Sequence, residues 1–210
     1  MVTSPLIGVL ALQGDVREHV RALEAIGART MLVRTRAHID EVDGLILPGG
    51  ESSVIDKLAR AFGLQDPIRR AIADGLPVYG TCAGMILLAD RIVDGIVGQQ
   101  SFGGVDMAVR RNAFGGQTES FETTLEAPAI GGAPVTAVFI RAPVVEESGP
   151  LVETVAHLPD GRAVAVRQGN LLATAFHPEV TEEHRFHEMF LAIVRSHVDG
   201  GDGTGARAPL

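Results

Sequence analysis

Short apolar runs alternate with amphipathic stretches through the first half of the chain. Leu6 to Leu12 predicts a strand, and the stretch after it places Val16, Val20 and Leu23 on one helical face, with Gly27 as the stop. The alternation continues through five further segments, three strands and two helices: TMLVR, GLILPGG, VIDKLARAF, LPVYG and AGMILLAD. Strands that alternate with helices pair in parallel and carry helices on both faces. The pattern therefore predicts an α/β fold, an open three-layer sandwich with a mostly parallel central sheet, whose ligands bind at the carboxyl ends of the strands.

Local capping residues predict where three helices begin. Ser52 or Ser53 caps the helix after PGG, and Asp66 with Pro67 at the first helical position opens the next helix. Thr181 caps a last amphipathic helix, EEHRFHEMFLAIVRSHV, which closes the fold.

The rhythm changes between Asp94 and about Arg167, where β-like runs are separated by glycines and no helical pattern stands out. Asp160-Gly161 predicts a hairpin turn within this region. We expect these strands to form a mixed or antiparallel extension of the same sheet. The expected organisation is one domain over residues 1–198 and a flexible tail over 199–210, which has almost nothing to bury.

Composition argues against several function classes. The 210 residues are 46% hydrophobic with a formal charge of −8, which supplies a large core but not the basic face that nucleic-acid phosphates require. A single cysteine forms no internal disulfide, so nothing indicates an oxidising compartment. The apolar run LIGVLAL follows no basic residue and ends at Gln13, too early for a signal peptide or a membrane span. We therefore expect a cytoplasmic protein with no nucleic-acid and no membrane partner.

The only cysteine lies at a sharp strand-to-helix turn, in the run Gly80-Thr81-Cys82-Ala83-Gly84. This run is the cysteine counterpart of the nucleophile elbow G-x-S-x-G, in which the glycines allow close backbone approach and the turn exposes the nucleophile at the sheet edge. A buried structural cysteine is the commoner fate of a free thiol, and the motif alone leaves both interpretations open.

A second strand end carries His177, Pro178 and Glu179, after the apolar run LLATAF. If this strand runs parallel to that of the cysteine, His177 emerges at the same edge and can exchange protons with the thiol and a leaving group. Glu179 can then hold the other imidazole nitrogen, the third role in a triad. Four other histidines are interpreted as surface residues on the polar sides of helices: His19, His184, His187 and His197. No metal site is predicted, because the nearby pair of histidines in the last helix lacks a third ligand.

A third strand end carries Gly49 and Gly50, whose backbone N–H groups are uncovered, as an oxyanion hole requires. An ordinary glycine turn before a helix would explain this segment if it stood alone. Three strand ends that each supply one component of acyl-transfer chemistry favour an active site with Cys82 as its nucleophile.

Taken together, PGG, G-x-C-x-G and H-P-E resemble the class I, triad-type glutamine amidotransferases. More narrowly, the chain resembles the glutaminase subunits of pyridoxal 5′-phosphate synthase complexes, from Ile7 to about Val198. The segments that carry this likeness are GVLALQGDVREH, LILPGGESS, GTCAGMILLA, RRNAFGGQTESFE, FIRAP and FHPE. Gly116 departs from the pattern, since these relatives commonly have arginine there, and this leaves local substrate or partner contacts open.

The resemblance implies hydrolysis of L-glutamine to L-glutamate and ammonia. It implies a glutamyl thioester on Cys82, with His177 as base and acid, Glu179 as its orienter, and an oxyanion hole made by Gly50 and Ala83. It assigns contacts with glutamine to six residues: Gly49, Gly50, Glu51, Arg111, Ile140 and Arg141.

The resemblance also implies a protein partner. Ammonia would pass to a (β/α)8-barrel synthase subunit in a large hetero-oligomer, and the glutaminase itself would need no cofactor. Gln13, Gly14 and Asp15 would lie at the interface with this subunit, although Asp15 at a strand-to-helix turn also fits a simple helix cap.

Three alternatives have different weaknesses. A glutaminase serving another acceptor, such as imidazole glycerol phosphate synthase, shares the triad but not the narrower motifs. A cysteine peptidase or chaperone-like hydrolase lacks a strand-end His-Pro-Glu after the elbow. A regulatory subunit with a dead site would be indicated by loss of Cys82 or His177, and both are present.

Overall fold

A computed structural model describes residues 4–111 and 120–201, which form twelve strands and six α-helices. The strands are β1 (Leu6–Leu10), β2 (Arg29–Val33), β3 (Gly44–Leu47), β4 (Val78–Thr81), β5 (Ala89–Val93), β6 (Val105–Arg110), β7 (Ser120–Leu125), β8 (Val135–Ile140), β9 (Val144–Ser148), β10 (Glu153–His157), β11 (Ala163–Gln168) and β12 (Leu171–Thr174). The helices are α1 (Val16–Ala25), α2 (Arg36–Glu41), α3 (Ser52–Ala61), α4 (Gln65–Ala73), α5 (Ala83–Leu88) and α6 (Arg185–Gly201).

The central sheet has seven strands in the order β10-β11-β12-β4-β3-β1-β2. The five strands from β12 to β2 pair in parallel, and β11 and β10 continue the sheet in antiparallel pairing beyond β12. The predicted mostly parallel sheet with an antiparallel extension is confirmed. Because β3, β4 and β12 are parallel neighbours, the residues that follow them meet at one edge of the sheet.

The expectation that all strands of the second half extend this sheet is wrong for the others, which form two small separate sheets. Strands β5, β6 and β9 form one sheet, in which β5 and β6 are parallel, and β7 and β8 form an antiparallel pair. The pair packs towards the central sheet through its aromatic side chains, since Phe139 lies 5.6 Å from Phe176 between ring centroids. This pair therefore stands beside the edge where β12 ends.

Helices cover both faces of the central sheet, as the alternation predicts. Tyr79 and Gly80 are consecutive residues of β4 and so face opposite sides. The Tyr79 ring lies 5.7 Å from that of Phe190 in α6, whereas a Cβ on Gly80 would lie 2.5 Å from the backbone of Gly84 in α5. The glycine at position 80 thus allows α5 to pack directly on the strand that precedes it.

Helix starts differ from those that capping residues predict. Glu51, rather than a serine, caps α3, because its longer side chain reaches the N–H of Ser53 at 3.3 Å. Asp66 and Pro67 lie inside the first turn of α4. Proline has no backbone N–H, but the N–H groups of the first turn have no partner within the helix, so no helical hydrogen bond is lost. Thr181 caps only a turn, accepting from the N–H of Glu183, and α6 begins at Arg185. Helix α2 was not predicted.

Interpretation of the histidines as surface residues is wrong for two of them. His19 and His187 are completely buried, whereas His197 is exposed and His184 is half-buried. His19 Nδ1 and His187 Nε2 lie 3.0 Å apart, so α1 and α6 satisfy each other's polar groups in the core. A polar residue on a helical wheel is buried here because its partner comes from a distant part of the sequence.

The last helix extends three residues past the predicted domain boundary, to Gly201. Residues 202–210 lie outside the described residues, so the tail stays a prediction. No helix in the described part of the chain has the length and apolar character needed to cross a membrane.

Candidate active site

Cys82 occupies a strained elbow between β4 and α5. Its φ of +47° lies in the left-handed region that non-glycine residues rarely adopt, and its N–H donates to the carbonyl of Thr174 at 2.8 Å. A Cβ on Gly84 would lie 2.1 Å from the carbonyl oxygen of Leu47, so only glycine fits there. The backbone therefore has the predicted elbow geometry, and the Cys82 side chain lines a cavity at the sheet edge.

His177 and Glu179 follow β12 and form a short buried contact. His177 Nδ1 lies 2.8 Å from Glu179 Oε1, and the backbone N–H of His177 donates to the carbonyl of Val138 in β8 at 3.0 Å. The His177 imidazole and the Cys82 thiol line the same cavity, and the thiol is among the groups that raise the pKa of the imidazole. The structure thus brings together the three residues predicted as a triad, and the β7–β8 pair supports the loop that carries the histidine.

The charges around His177 determine which of its nitrogens carries a proton. Burial lowers the pKa of His177, but hydrogen bonds with Asp15, Cys82 and Glu179 outweigh it and raise the pKa above the usual histidine value. Burial raises the pKa of Glu179, and the His177 contact opposes that rise. A proton is therefore retained between imidazole and carboxylate, with Nδ1 as the donor to Glu179. Nε2 is then the ring nitrogen that is available to the thiol.

The glycines after β3 pack closely against the histidine loop and the end of β1. A Cβ on Gly49 would lie 2.4 Å from His177 Cε1, and one on Gly50, whose φ is +148°, would lie 2.6 Å from Gln13 Oε1. The N–H of Glu51 donates to Gln13 Oε1 at 2.8 Å. Glycine is therefore required at both positions for the strand ends to meet.

Gln13, Gly14 and Asp15, predicted at a subunit interface, lie next to the triad. The N–H of Asp15 donates to the carbonyl of Gly49 at 3.1 Å, and Asp15 Oδ2 lies 3.3 Å from His177 Nδ1. A second carboxylate at the histidine was not predicted. The only signal in the sequence is that Asp15 follows β1, which ends at the same edge as β3, β4 and β12.

A cavity of about 270 Å³ opens above Cys82. It is lined by Gln13, Asp15, Gly50, Glu51, Ser52, Cys82, Ile86, Arg111, Ile140, Arg141 and His177. Among the residues predicted to contact glutamine, all but Gly49 are in this lining, and the carbonyl of Ile140 lies 3.8 Å from Cys82 Sγ. The predicted site is thus one concave surface with the nucleophile in it.

The cavity wall carries both a cation and a carboxylate. Arg111 Nη2 lies 2.8 Å from Glu51 Oε1, and its Nη1 donates to Gln99 Oε1 at 2.8 Å. The Gln99 amide in turn donates to Ser52 Oγ, which fixes the arginine from behind. An α-carboxylate and an α-ammonium group could each find a charged partner on this wall. Asn112 to Glu119, including Gly116, lie outside the described residues.

Asp15, His177 and Glu179 bring one potential metal ligand each within 4.8 Å of one another. Both carboxylates contact the same atom, Nδ1 of His177, so a metal ion that bound this nitrogen would have to displace both contacts. We therefore interpret the cluster as a hydrogen-bonded group around the imidazole.

A cysteine on an elbow beside a buried histidine–glutamate pair, at the edge of a mostly parallel sheet, defines a triad-type glutamine amidotransferase. Residues 9–196 match the model of the SNO glutamine amidotransferase family, and the chain belongs to this family.

Curated relatives and a solved structure agree with that assignment. The chain is 62% identical over 198 residues to the pyridoxal 5′-phosphate synthase subunit PdxT of Leifsonia xyli subsp. xyli, covering 94% of this chain and 100% of that protein. It is 64% identical over 190 residues to PdxT of Clavibacter sepedonicus, covering 90% and 91%. A crystal structure of a glutamine amidotransferase superposes with a TM-score of 0.84 at 46% identity, covering 90% of this chain and 98% of that one.

Proposed function

We propose that Cys82, His177 and Glu179 carry out the glutamine hydrolysis that supplies ammonia for pyridoxal 5′-phosphate synthesis. The protein is a glutaminase that works with a synthase partner. Its PdxT relatives are named as subunits of pyridoxal 5′-phosphate synthase. The observation that carries the catalytic assignment is the position of Cys82 on its elbow, in the lining of the cavity that His177 also lines.

In the first half of the reaction, the Cys82 sulfur forms a bond to the side-chain amide carbon of glutamine. The thiol proton is already held on His177, because the pKa of this imidazole is raised, and His177 gives it to the departing nitrogen. The C–N bond breaks, and ammonia leaves a glutamyl thioester behind. In the second half, a water loses a proton to His177 and attacks the thioester carbon. The sulfur leaves with that proton, and glutamate is released.

Glu179 keeps the imidazole in the tautomer that this sequence needs. A carboxylate that accepts from Nδ1 leaves Nε2 free for the sulfur and stabilises the imidazolium that forms. The N–H groups of Gly50 and Ala83 are the proposed donors to the oxyanion, for which removal of one donor costs roughly two to three orders of magnitude in rate.

Substrate binding is assigned to the cavity wall. Arg111 attracts the α-carboxylate of glutamine and Glu51 its α-ammonium group. Gly49 and Gly50 supply backbone contacts at the amide end. Ile140 and Arg141 cover the substrate from the end of β8, where Arg141 has a strained φ of +45°.

The synthase partner is proposed to be a (β/α)8-barrel subunit in a large hetero-oligomer. Its docking surface would include Gln13, Gly14 and Asp15, which reach the cavity from one side and the protein surface from the other. Docking would therefore act directly on Gly50 through Gln13, so that glutaminase activity rises when the partner binds. We place both subunits in the cytoplasm, where the thiol stays reduced.

Glutamate release from L-glutamine by the purified protein, with and without its synthase subunit, tests the function. We expect activity that rises with the synthase and that Cys82→Ala reduces by at least about three orders of magnitude. With Cys82→Ala, ammonium chloride should restore product formation by the synthase, while glutamine should not. Glutamate release that survives in Cys82→Ala would contradict the assignment of the nucleophile.

A further inference from the structure

A chain of buried polar side chains leads away from Glu179 and takes no part in the cavity lining. Thr81, the last residue of β4, donates from Oγ1 to Glu179 Oε1 at 3.3 Å. His19 Nε2, from α1, lies 3.0 Å from Thr81 Oγ1 and 3.5 Å from Glu179 Oε1. His187 Nε2, from α6, lies 3.0 Å from His19 Nδ1. Three separate elements thus converge behind the triad carboxylate.

The polar atoms at the two ends of this chain fix the direction of its hydrogen bonds. The Glu179 carboxylate can only accept, so Thr81 donates to it and its oxygen accepts from His19 Nε2–H. His19 Nδ1 then accepts from His187 Nε2–H, and His187 Nδ1 is a bare lone pair. This atom has no partner among the described residues, which fits an unpaired acceptor better than an unpaired N–H, since buried orphan N–H groups are rare.

The protonation states agree with this direction. Burial, followed by the neighbouring His187 and His177, lowers the pKa of His19 well below the usual value. Burial and then His184 lower the pKa of His187 to about 3. Both rings are therefore neutral at physiological pH. This is what the row of hydrogen bonds requires, because each contact in it holds one proton. The ring of Tyr79 also packs against His19, edge-on at 6.5 Å between centroids.

Glu179 receives its hydrogen bonds on one side only. Oε1 faces the donors of His177, Thr81 and His19, whereas Oε2 has no hydrogen-bond partner in residues 4–111 and 120–201. A carboxylate buried in this way is charged only as long as donors compensate for its lost hydration. Without Thr81 and His19, Glu179 would take up a proton more readily and bind His177 less firmly.

We propose that His19, acting through Thr81, is a positioning residue that keeps the Glu179 carboxylate ionised and oriented towards His177, while His187 fixes the tautomer of His19. Donors aligned in one direction polarise one another, so the chain acts as a unit. This inference rests on the proposed role of Glu179 in glutamine hydrolysis.

Substitutions at Thr81 test the chain with little change of shape. Thr81→Val removes the hydroxyl, so we expect kcat to fall about 10-fold, with KM for glutamine within about twofold. The acid limb of kcat/KM should move to higher pH by about one unit, because a lost donor raises the pKa of a carboxylate. Thr81→Ser keeps the hydroxyl and should restore both quantities to within about twofold of wild type.

Variants of His19 and a neighbouring hydroxyl complete the design. His19→Leu should reproduce the shift of the acid limb, and His19→Gln, which can present an N–H near Nε2, should reverse most of it. Tyr79→Phe is the matched control, because it removes a buried hydroxyl of the same strand that bonds Thr174 instead of Glu179. An acid limb that stays in place in both Thr81→Val and His19→Leu, or that moves equally in Tyr79→Phe, overturns the proposal, whatever happens to activity or Tm.

NMR of 15N-labelled histidines gives a readout that does not depend on turnover. We expect neutral Nε2–H tautomers at both His19 and His187 between pH 6 and pH 8, and an Nδ1–H tautomer at His19 overturns the proposal. If the wild-type protein with its synthase releases no glutamate, the proposed function fails, and the tautomers still decide whether the hydrogen-bond chain exists.

Discussion

Asp15 Oδ2 lies 3.3 Å from Nδ1 of His177, the same ring nitrogen that Glu179 contacts at 2.8 Å. The imidazole therefore faces two carboxylates, one buried and one partly open to solvent. Asp15 precedes α1 but makes no side-chain cap for it, so the helix does not explain its position. Its carboxylate joins the loop after β1, where we place the synthase, to the histidine that we propose as catalytic.

Asp15→Asn should lower the pKa of His177. The Asp15 hydrogen bond is the largest of the contributions that raise this pKa, and loss of the negative charge destabilises the imidazolium. The alkaline limb of any activity that needs a protonated His177 should then move to lower pH. Titration of the His177 ring protons by NMR measures the change in the isolated protein, without the synthase. Glu18→Gln, which removes another acid next to the same loop, should leave the titration unchanged.

Glu179→Gln should lower kcat by about two to four orders of magnitude with little effect on KM. The amide no longer enforces an N–H at Nδ1, and the analogous loss in a serine-protease triad costs roughly 10⁴-fold. Glu182→Gln is the matched control on the same loop, because that side chain is exposed. Steady-state kinetics on both variants decide the matter, and a loss confined to KM would show that Glu179 binds substrate instead.

Arg111→Ala should raise KM for glutamine about 10-fold or more and reduce kcat much less, because a charge-assisted bond to the α-carboxylate is lost in ground state and transition state alike. The neighbouring Arg110 offers a control. Its guanidinium pairs with Asp94 and Glu146 and does not line the cavity. Kinetics of Arg110→Ala should stay within about twofold of wild type, and equal effects at the two positions would contradict the assignment.

Gly84→Ala should destabilise the fold by about 1–3 kcal/mol or more, since its Cβ would lie 2.1 Å from a backbone oxygen of Leu47 that cannot move freely. Gly200→Ala, in α6, should have the opposite sign. Among the described residues, no atom outside the chain neighbours and the backbone of the helix itself lies within 4 Å of a Cβ at that position, and alanine favours a helix over glycine by about 1 kcal/mol. Urea unfolding of the two variants tests both expectations. A tolerated Gly84→Ala would show that α5 can shift away from β3.

The sequence predicts the triad because its geometry follows from one rule. Cys82, His177 and the glycines at 49 and 50 each follow a strand, and parallel strands bring such residues to one edge. The rule does not predict which side chains of the covering helices are buried next to the triad. His19 and His187 are separated by 168 positions, and each lies on a helix whose local pattern allows an exposed histidine. Only the packing of α1 on α6 shows that they pair and are buried.

Helix starts show the same limit on a smaller scale. Glu51 caps α3 because its own backbone is extended and its side chain accepts from the N–H of Ser53, whereas the two serines that follow fit the capping preference better. Competition between neighbouring capping residues depends on backbone geometry, which residue preferences do not describe.

Acid should weaken the fold through the buried histidines. The pKa of His19 is lowered by burial first and by His187 and His177 next, and burial brings that of His187 to about 3. In the unfolded chain both titrate near 6.5, so the unfolded state binds more protons below that pH. Both histidines should therefore lower the free energy of unfolding as the pH drops below about 6.5, and His187 should contribute about 2 kcal/mol of that loss between pH 7 and pH 5.

His187→Gln separates this contribution from the rest of the acid response. The variant should lose about 2 kcal/mol of the difference in unfolding free energy between pH 7 and pH 5, because one buried neutral imidazole is gone. His197→Gln, at an exposed histidine of the same helix, should keep the wild-type difference. Urea unfolding curves at the two pH values give these differences directly. An unchanged pH dependence in His187→Gln would mean that His187 is protonated in the folded protein, contrary to its burial beside His19.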